Sequence, residues 1–350
     1  MMDLTLHNLV AKVRRGPASS AMLVRIEWAE LVTRGLSNYL NLLRRRMRLL
    51  KLGSHPLAVQ LEPYGGCNLR CSMCFQGRMK LPASDLAMPV EAYRQIIDKV
   101  SKHVVRLYLY WRGEPLMHPR LGEMIAYATK QGMYVIVSTN GVLLDDARAK
   151  ELISANLDLL IVGFDGTTKK TYEQMRRGAE FETLKQNVRR FVESRKTLGR
   201  LLPHVCLQFI VSSANVHELR SLPALCKEVG ADSYMEKLLD VYQNVGVPGV
   251  TDAIAPLYIG GVWGKYVRSG ASFRMKRNSH TCSMCNNLVV RADLELALCC
   301  YDFENKFQLG KARTEDVLSH WRDLGYAATR AAGRDRATPL CRNCGEAIQR

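Results

Sequence analysis

The sequence predicts an α/β protein in which strand–helix units form an open parallel sheet, preceded by a basic helical extension and followed by a small cysteine-rich domain. Three observations predict it. Short apolar runs alternate with longer stretches of helical periodicity between residues 57 and 236, which requires βαβ crossovers and hence parallel strands. Turns bearing glycine or asparagine follow those runs, at the carboxyl ends of strands where parallel α/β sheets place their active sites. The alternation stops near residue 240, and six of the eleven cysteines lie beyond it.

The elements follow in order. The run Leu57-Ala58-Val59-Gln60-Leu61-Glu62 is the first strand, and residues 90–100 the first helix. Residues 104–110 form a strand of β-branched, leucine and aromatic residues around one arginine, the kinds that suit a pleated surface. Helix 121–131, strand 133–138, helix 145–155 and strand 159–166 continue the alternation, followed by helix 181–195 and strand 205–211. A helix opening at Asn215 and running to Val229 leads to a sixth strand at 231–236. These elements divide the chain into a basic amphipathic extension (1–52), the six-unit barrel (53–240), a linker or loop region (241–274) and the cysteine-rich domain (275–350).

After the first strand comes Cys67-Asn68-Leu69-Arg70-Cys71-Ser72-Met73-Cys74-Phe75. Iron–sulfur clusters are held by cysteine thiolates, usually four, so three in so short a segment suit a [4Fe–4S] cluster with one iron left open. A zinc knuckle or buried cysteines are the alternatives, but zinc sites pair such cysteines with a second pair or with histidines nearby, and the next histidine is the distant His103. The C-x3-C-x2-C spacing after a strand resembles the signature of the radical S-adenosylmethionine (SAM) enzymes. The resemblance implies a (βα)6 partial TIM barrel, with a cluster on Cys67, Cys71 and Cys74 whose open iron binds the amino and carboxylate groups of SAM. It further implies reductive cleavage of SAM to a 5′-deoxyadenosyl radical.

Later turns extend the resemblance. Arg112-Gly113-Glu114-Pro115-Leu116 is similar to the family's Gly-Gly-Glu-Pro-Leu motif with an arginine at the first glycine. It implies that Gly113, Glu114 and Pro115 meet the SAM amino group. Thr139-Asn140-Gly141 resembles the turn beside the SAM ribose and methionyl group, so Ser138 and Asn140 are implied contacts. Gly163-Phe164-Asp165-Gly166 resembles the Ser-Ile-Asp-Gly segment of members with extra clusters, with Gly163 at the serine and Asp165 retained. The same comparison implies SAM contacts at Met73 and Phe75, an inward Gln208, and Asn215 at the ribose edge. Each turn alone reads as glycine or asparagine supplying a positive φ after a strand; their order is the signal. Tyr108, Tyr110, Arg176, Arg177 and Glu218 are candidates for proton or hydrogen transfer by location.

In the C-terminal region, Cys282, Cys300, Cys341 and Cys344 are similar to the ligands of the twitch domain, a shortened SPASM domain that binds one auxiliary [4Fe–4S] cluster. Cys285 and Cys299 are neighbours able to substitute for a ligand. Residues 288–298 read as a hairpin, and Leu309-Gly310-Lys311 with Val317-Leu318-Ser319-His320-Trp321 resembles the family's Leu-Gly turn and tryptophan-bearing helix. A structural zinc site on Cys282, Cys285, Cys341 and Cys344 is the alternative. Cys206 and Cys226 read as buried small hydrophobes. Thiolate ligands of this kind require a reducing compartment, which argues against structural disulfides.

The net charge is +17. It is concentrated at the start, where Lys12, Arg14, Arg15, Arg25, Arg34, Arg44, Arg45, Arg46, Arg48 and Lys51 face only Asp3, Glu27 and Glu30. With leucines at near-helical spacing, this reads either as a helix lying on an anionic membrane surface or as one packed on the barrel. No nucleic-acid motif accompanies the charge, and neither a spanning segment nor a secretory signal is read. The expectation is a cytoplasmic enzyme, peripheral on the inner membrane face if the helix binds lipid. A flavodoxin- or ferredoxin-type protein would reduce it, and it would oxidise or rearrange a sugar, cyclitol or lipid precursor. Peptide modification is the alternative reaction, and a non-catalytic iron–sulfur carrier the alternative of another class.

Overall fold

A computed structural model describes residues 55–74, 87–240, 254–260, 266–269, 272–275, 282, 284–341 and 344. The extension 1–52 and Phe75 lie outside the described residues, as does much of 241–274.

Six parallel strands, β1 (Ala58–Leu61), β2 (Arg106–Tyr108), β3 (Tyr134–Thr139), β4 (Leu159–Gly163), β5 (His204–Val211) and β6 (Ser233–Leu238), pair in sequence order. They are joined by α1 (Val90–Val100), α2 (Leu121–Lys130), α3 (Asp146–Ser154), α4 (Lys169–Met175), α5 (Phe181–Thr197) and α6 (Leu222–Glu228). This is the expected partial barrel.

Alternation along the strands sorts the side chains into two layers. Val59, Leu107, Val135, Val137, Leu160, Val162 and Leu207 pack outward against helix residues such as Ile97, Met124, Leu152 and Phe191. Each such fully buried side chain contributes about 1.5–3 kcal/mol. Tyr134, Ile136, Ile161, Cys206 and Met235 form a separate inner cluster with Tyr108 and Tyr110. By that alternation Gln60, Ser138 and Gln208 share the inner face, which opens at the carboxyl end of the sheet.

Three differences from the expected elements have local causes. The helix expected from Asn215 is a 3-10 turn (Val216–Ser221) followed by α6. Pro223, which lacks an N–H, is tolerated only in the first turn of a helix and sets the start of α6. The fourth strand ends at Gly163 because Asp165 turns away to accept hydrogen bonds from the Ile210 amide and the Arg176 side chain. The expected linker contains an antiparallel hairpin, β7 (Tyr266–Ser269) with β8 (Ser272–Met275), whose Tyr266 and Phe273 pack with Tyr258.

The C-terminal hairpin, β9 (Asn287–Val290) and β10 (Leu296–Ala297), does more than cover its own domain. β9 pairs parallel with β1 from Ala58↔Asn287 to Leu61↔Val290, so the described residues form an eight-stranded sheet in the order β10-β9-β1-β2-β3-β4-β5-β6. Two helices, α7 (Val317–Arg322) and α8 (Leu324–Arg334), close the region, with Trp321 buried under the Arg330 guanidinium, 3.6 Å from the ring centre. The cysteine-rich domain is thereby fused to the edge of the barrel beside the first cysteine loop.

Candidate active site and auxiliary cysteine cavity

The loop leaving β1 carries Cys67, Cys71 and Cys74, with Cys71 buried and the other two half-buried. Backbone hydrogen bonds fix it to the end of α4: Ser72 N donates to Met175 O (2.9 Å) and Arg70 N to Arg177 O (3.0 Å). The Cys67 sulfur accepts from Leu69 N at 3.4 Å and lies 3.8 Å from Asn140 Nδ2. Burial pushes the Cys67 thiol up to about 11 and that of Cys71 to about 12. Three cysteines on one short loop supply the thiolate donor set that such clusters use, enough for three irons of a [4Fe–4S] cluster.

The turn after β2 reaches this loop through backbone. Glu114 N donates to Gly66 O at 2.8 Å, and a Cβ on Gly113 would lie 2.0 Å from Tyr64 O, so only glycine fits there. The Glu114 carboxylate is engaged within the chain, Oε1 accepting from Leu116 N (3.0 Å) and Thr139 Oγ1 (2.5 Å) and Oε2 from Asn140 N (2.7 Å). Burial raises its pKa, against those three bonds. Glu114 therefore locks the Thr139-Asn140 turn to the cysteine loop, and Pro115 opens the 3-10 turn that follows it.

The remaining expected contacts divide into open and occupied groups. Ser138 and Gln208 sit on the inner face, half-buried and open to the mouth of the barrel. Asn140 is buried, its Nδ2 donating to Asn68 Oδ1 at 2.8 Å. Met73 is buried in a cluster with Met175, Leu239 and Ile254. Asn215 was expected at the ribose edge, but all four hydrogen-bonding positions of its amide are filled. Its Oδ1 accepts from Ser212 N and Oγ, and its Nδ2 donates to the carbonyls of Asp165 and Ile210. It acts as a brace for the β4 and β5 ends. Glu218 is likewise engaged, with Thr167 N and the hydroxyls of Thr167 and Thr168.

Arg176 explains the glycine at the family's serine position. A Cβ on Gly163 would lie 2.0 Å from Arg176 Nη2, so the guanidinium fills the space a serine side chain would take. Its Nε donates to the buried Asp165 at 2.6 Å. Burial works against the Arg176 charge, but the ion pair with Asp165 outweighs it and holds the group protonated. A fixed cation thus stands beside the cysteine loop, bound to Asp165 through Nε and packed against Gly163. The sequence pointed to Arg176 by location alone; the missing serine was the stronger clue.

The second site is a cavity lined by Cys282, Cys285, Cys299, Cys341 and Cys344 together with Met284, Tyr301, Arg336 and Leu340. Cys300 is not among its lining residues, and Cys299 stands where Cys300 was expected. The cause is the tight turn after β10, in which Asp302 N donates to Cys299 O and Leu298 N to Asp302 Oδ2, so that adjacent residues face opposite ways. Cys300 instead offers its carbonyl to the Trp111 indole at 2.9 Å. Cys285 is fully buried among Cys282, Cys299 and Cys341; its hydrogen bonding lowers Cys282 to about 7 and Cys341 to about 6, while its own pKa is raised. Five thiols around one cavity exceed the four a cluster needs.

The two sites are tied together. Arg112 forms a buried pair with Glu62 (Nη2–Oε2 2.7 Å, Nε–Oε1 2.9 Å) and donates through Nη1 to Phe303 O at 3.0 Å. Glu62 also accepts from Ala292 N, and Trp111 stacks on Phe303. The arginine that departs from the Gly-Gly-Glu-Pro pattern is therefore the joint between barrel and cysteine-rich domain.

Residues 61–204 match the Radical SAM superfamily, and residues 282–345 match the SPASM iron–sulfur cluster-binding domain. The chain belongs to the radical SAM superfamily. It is an enzyme of that superfamily with a C-terminal SPASM/twitch domain, and its cofactors are SAM and [4Fe–4S] clusters. Among curated relatives, a tungsten-containing aldehyde ferredoxin oxidoreductase cofactor-modifying protein of Pyrococcus furiosus is 25% identical over 315 residues, covering 81% of this chain and 86% of the relative. Among solved structures, Streptococcus suis SuiB bound to precursor peptide SuiA superposes with a TM-score of 0.59 at 13% identity, over 89% of this chain and 76% of that one. BtrN in complex with AdoMet and 2-DOIA superposes with a TM-score of 0.51 at 16% identity, over 82% and 92%. Among the described residues no helix is long and apolar enough to cross a membrane.

Proposed function

We propose that this radical SAM enzyme oxidises or rearranges a non-peptide substrate held between the barrel mouth and the cysteine-rich domain. The observation that carries the reading is the joint itself: β9 pairs with β1, and Trp111 and Arg112 bind the backbone of Cys300 and Phe303. Through it the cysteine-rich domain is held along β1, whose carboxyl end leads into the first cysteine loop, and its Cys300–Phe303 turn is held against the Trp111-Arg112 turn after β2. The relative spanning most of the chain is named for modifying a cofactor, which supports a small-molecule substrate.

In this reading Cys67, Cys71 and Cys74 hold the SAM cluster, and Cys299, Cys341 and Cys344 with Cys282 or Cys285 hold the auxiliary one. Bound there, the first cluster with SAM would supply radical hydrogen-atom abstraction, and the second would supply a one-electron acceptor. The chain's own residues orient and enclose. Glu114 fixes the Asn140 turn and Gly113 lets backbone approach the loop. Arg176 presents a permanent cation where a carboxylate such as that of SAM would be received. Ser138, Gln208, Tyr108 and Tyr110 line the inner face against which the substrate lies. A flavodoxin- or ferredoxin-type protein is the proposed reductant.

The test is untargeted mass spectrometry of lipid and polar extracts from a strain lacking the protein and from its parent. A small molecule that differs by two hydrogens, or by an isomeric change, supports the reading. A change confined to a processed peptide overturns it in favour of peptide modification, the reading that likeness to SuiB in its peptide complex favours. The basic extension carries a separate proposal, contact with anionic membrane. Deleting residues 1–52 is expected to abolish co-sedimentation with anionic liposomes at low salt; unchanged sedimentation rejects it.

A further inference from the structure

Among the described residues that line the auxiliary cavity one side chain is charged, and it is built in rather than borrowed from the surface. Arg336 lines the cavity with the five cysteines and is only 9% exposed. It follows α8 in a left-handed conformation, φ 59°, which residues other than glycine rarely adopt. The turn is closed by Arg336 N donating to Gly333 O at 3.1 Å. Its guanidinium grips the Cys341–Cys344 turn by backbone: Nε and Nη2 donate to Cys341 O at 3.1 and 3.0 Å, and Nη2 to Cys344 O at 3.1 Å. The charge cannot swing into solvent without breaking those bonds.

One anion lies nearby, the buried Asp302 carboxylate, which accepts from the amides of Leu298 and Lys306 at 3.1 and 2.8 Å; it is the same in the parent and in an Arg336 variant, so the difference between the two reports the Arg336 charge. Arg330, a second cation in the domain, lies over Trp321 and Tyr326 and donates to Trp321 O.

We propose that Arg336 is a positioning residue whose fixed positive charge raises the reduction potential of the iron–sulfur cluster held by these cysteines, favouring its reduced form. The proposal rests on the reading that this cavity holds a cluster. A cluster on four thiolates is anionic and gains one further negative charge on reduction, so a fixed cation at low local dielectric stabilises the reduced state more than the oxidised one.

The experiment removes the other cluster, by changing Cys67, Cys71 and Cys74 to alanine in the full chain, and titrates the remaining one potentiometrically with EPR detection after anaerobic reconstitution. Arg336→Gln is expected to shift the reduction equilibrium about tenfold toward the oxidised form, a fall of about 59 mV for one electron, and Arg336→Lys to return most of it. A parent that binds no iron overturns the cluster reading and the proposal together. A cluster-bearing Arg336→Gln variant with the parent's potential overturns the proposal alone. If Arg336→Gln cannot hold a cluster, Arg336→Lys decides: the parent's potential supports the charge, and loss of the cluster there too reduces Arg336 to a structural clamp.

Discussion

In the loop after β1, three cysteines lie on one short segment that Met175, Arg177 and Glu114 hold by backbone hydrogen bonds. The auxiliary cavity instead draws its cysteines from four places: the turn before β9, the turn after β10, and the two ends of the Cys341–Cys344 turn beyond α8. The first site is local, and its geometry follows once the loop is anchored. The second exists only after β9 has paired with β1 and α8 has packed, so its ligand set depends on the whole domain. The difference also shows in the sulfurs, which burial keeps as thiols at Cys67 and Cys71 and which mutual hydrogen bonding acidifies at Cys282 and Cys341.

The largest expected effect tests whether the local site is the catalytic one. In reconstituted protein, Cys71→Ala removes one of three ligands to the SAM cluster and is expected to abolish 5′-deoxyadenosine formation, measured by chromatography with dithionite as reductant. Wild-type yield from that variant breaks the assignment, whatever happens at the second cavity.

Next comes a pair of variants that separates neighbouring residues. Cys299→Ala is expected to lose the auxiliary cluster, and with it about half of the bound iron of a two-cluster protein, whereas Cys300→Ala is expected to keep both. Iron content and the visible spectrum read the outcome, and the reverse pattern would restore Cys300 as the ligand.

This pair marks where the sequence stopped being legible. The first cysteine loop could be placed by spacing, and the partial barrel by alternation, because both signals are local. The choice between Cys299 and Cys300 could not, since it is made by a turn that Asp302 closes with the Leu298 and Lys306 amides. Nor could the pairing of β9 with β1, a contact between segments far apart in the chain. Two departures from the family pattern were visible but unread. Arg112 in place of a glycine is the interdomain joint, and Gly163 in place of a serine makes room for Arg176. Asn215 poses the converse case: its position suggests a ligand contact, while every hydrogen-bonding group of its amide is committed to the fold.

A smaller effect probes the joint between the two sites. Side chains of Arg112 and Glu62 are 5% and 0% exposed, and removing one partner of such a pair leaves the other charge buried without compensation. Arg112→Ala is therefore expected to cost about 3–5 kcal/mol, read by chemical denaturation of the holoprotein. A change under about 1 kcal/mol would mean that the β1–β9 pairing alone unites the domains.

The smallest effect is a difference in slope. Thiols must lose their protons to bind metal, so affinity rises with pH until the ligands are ionised. Cys67 and Cys71, at about 11 and about 12, remain protonated throughout pH 7–9, so each proton displaced there makes metal uptake steeper with pH. Cys341 and Cys282, at about 6 and about 7, are largely ionised by pH 8 and contribute little further slope. The sign is the same at both sites, tighter at higher pH, and the dependence should be steeper at the first loop where the second site draws on Cys282 rather than on the raised Cys285. Cobalt(II) titrations at pH 7.0 and 8.5, on variants retaining only one cysteine group each, compare the two directly. Equal slopes would show that anchoring by backbone leaves the first loop's sulfurs as easily ionised as those of the assembled cavity.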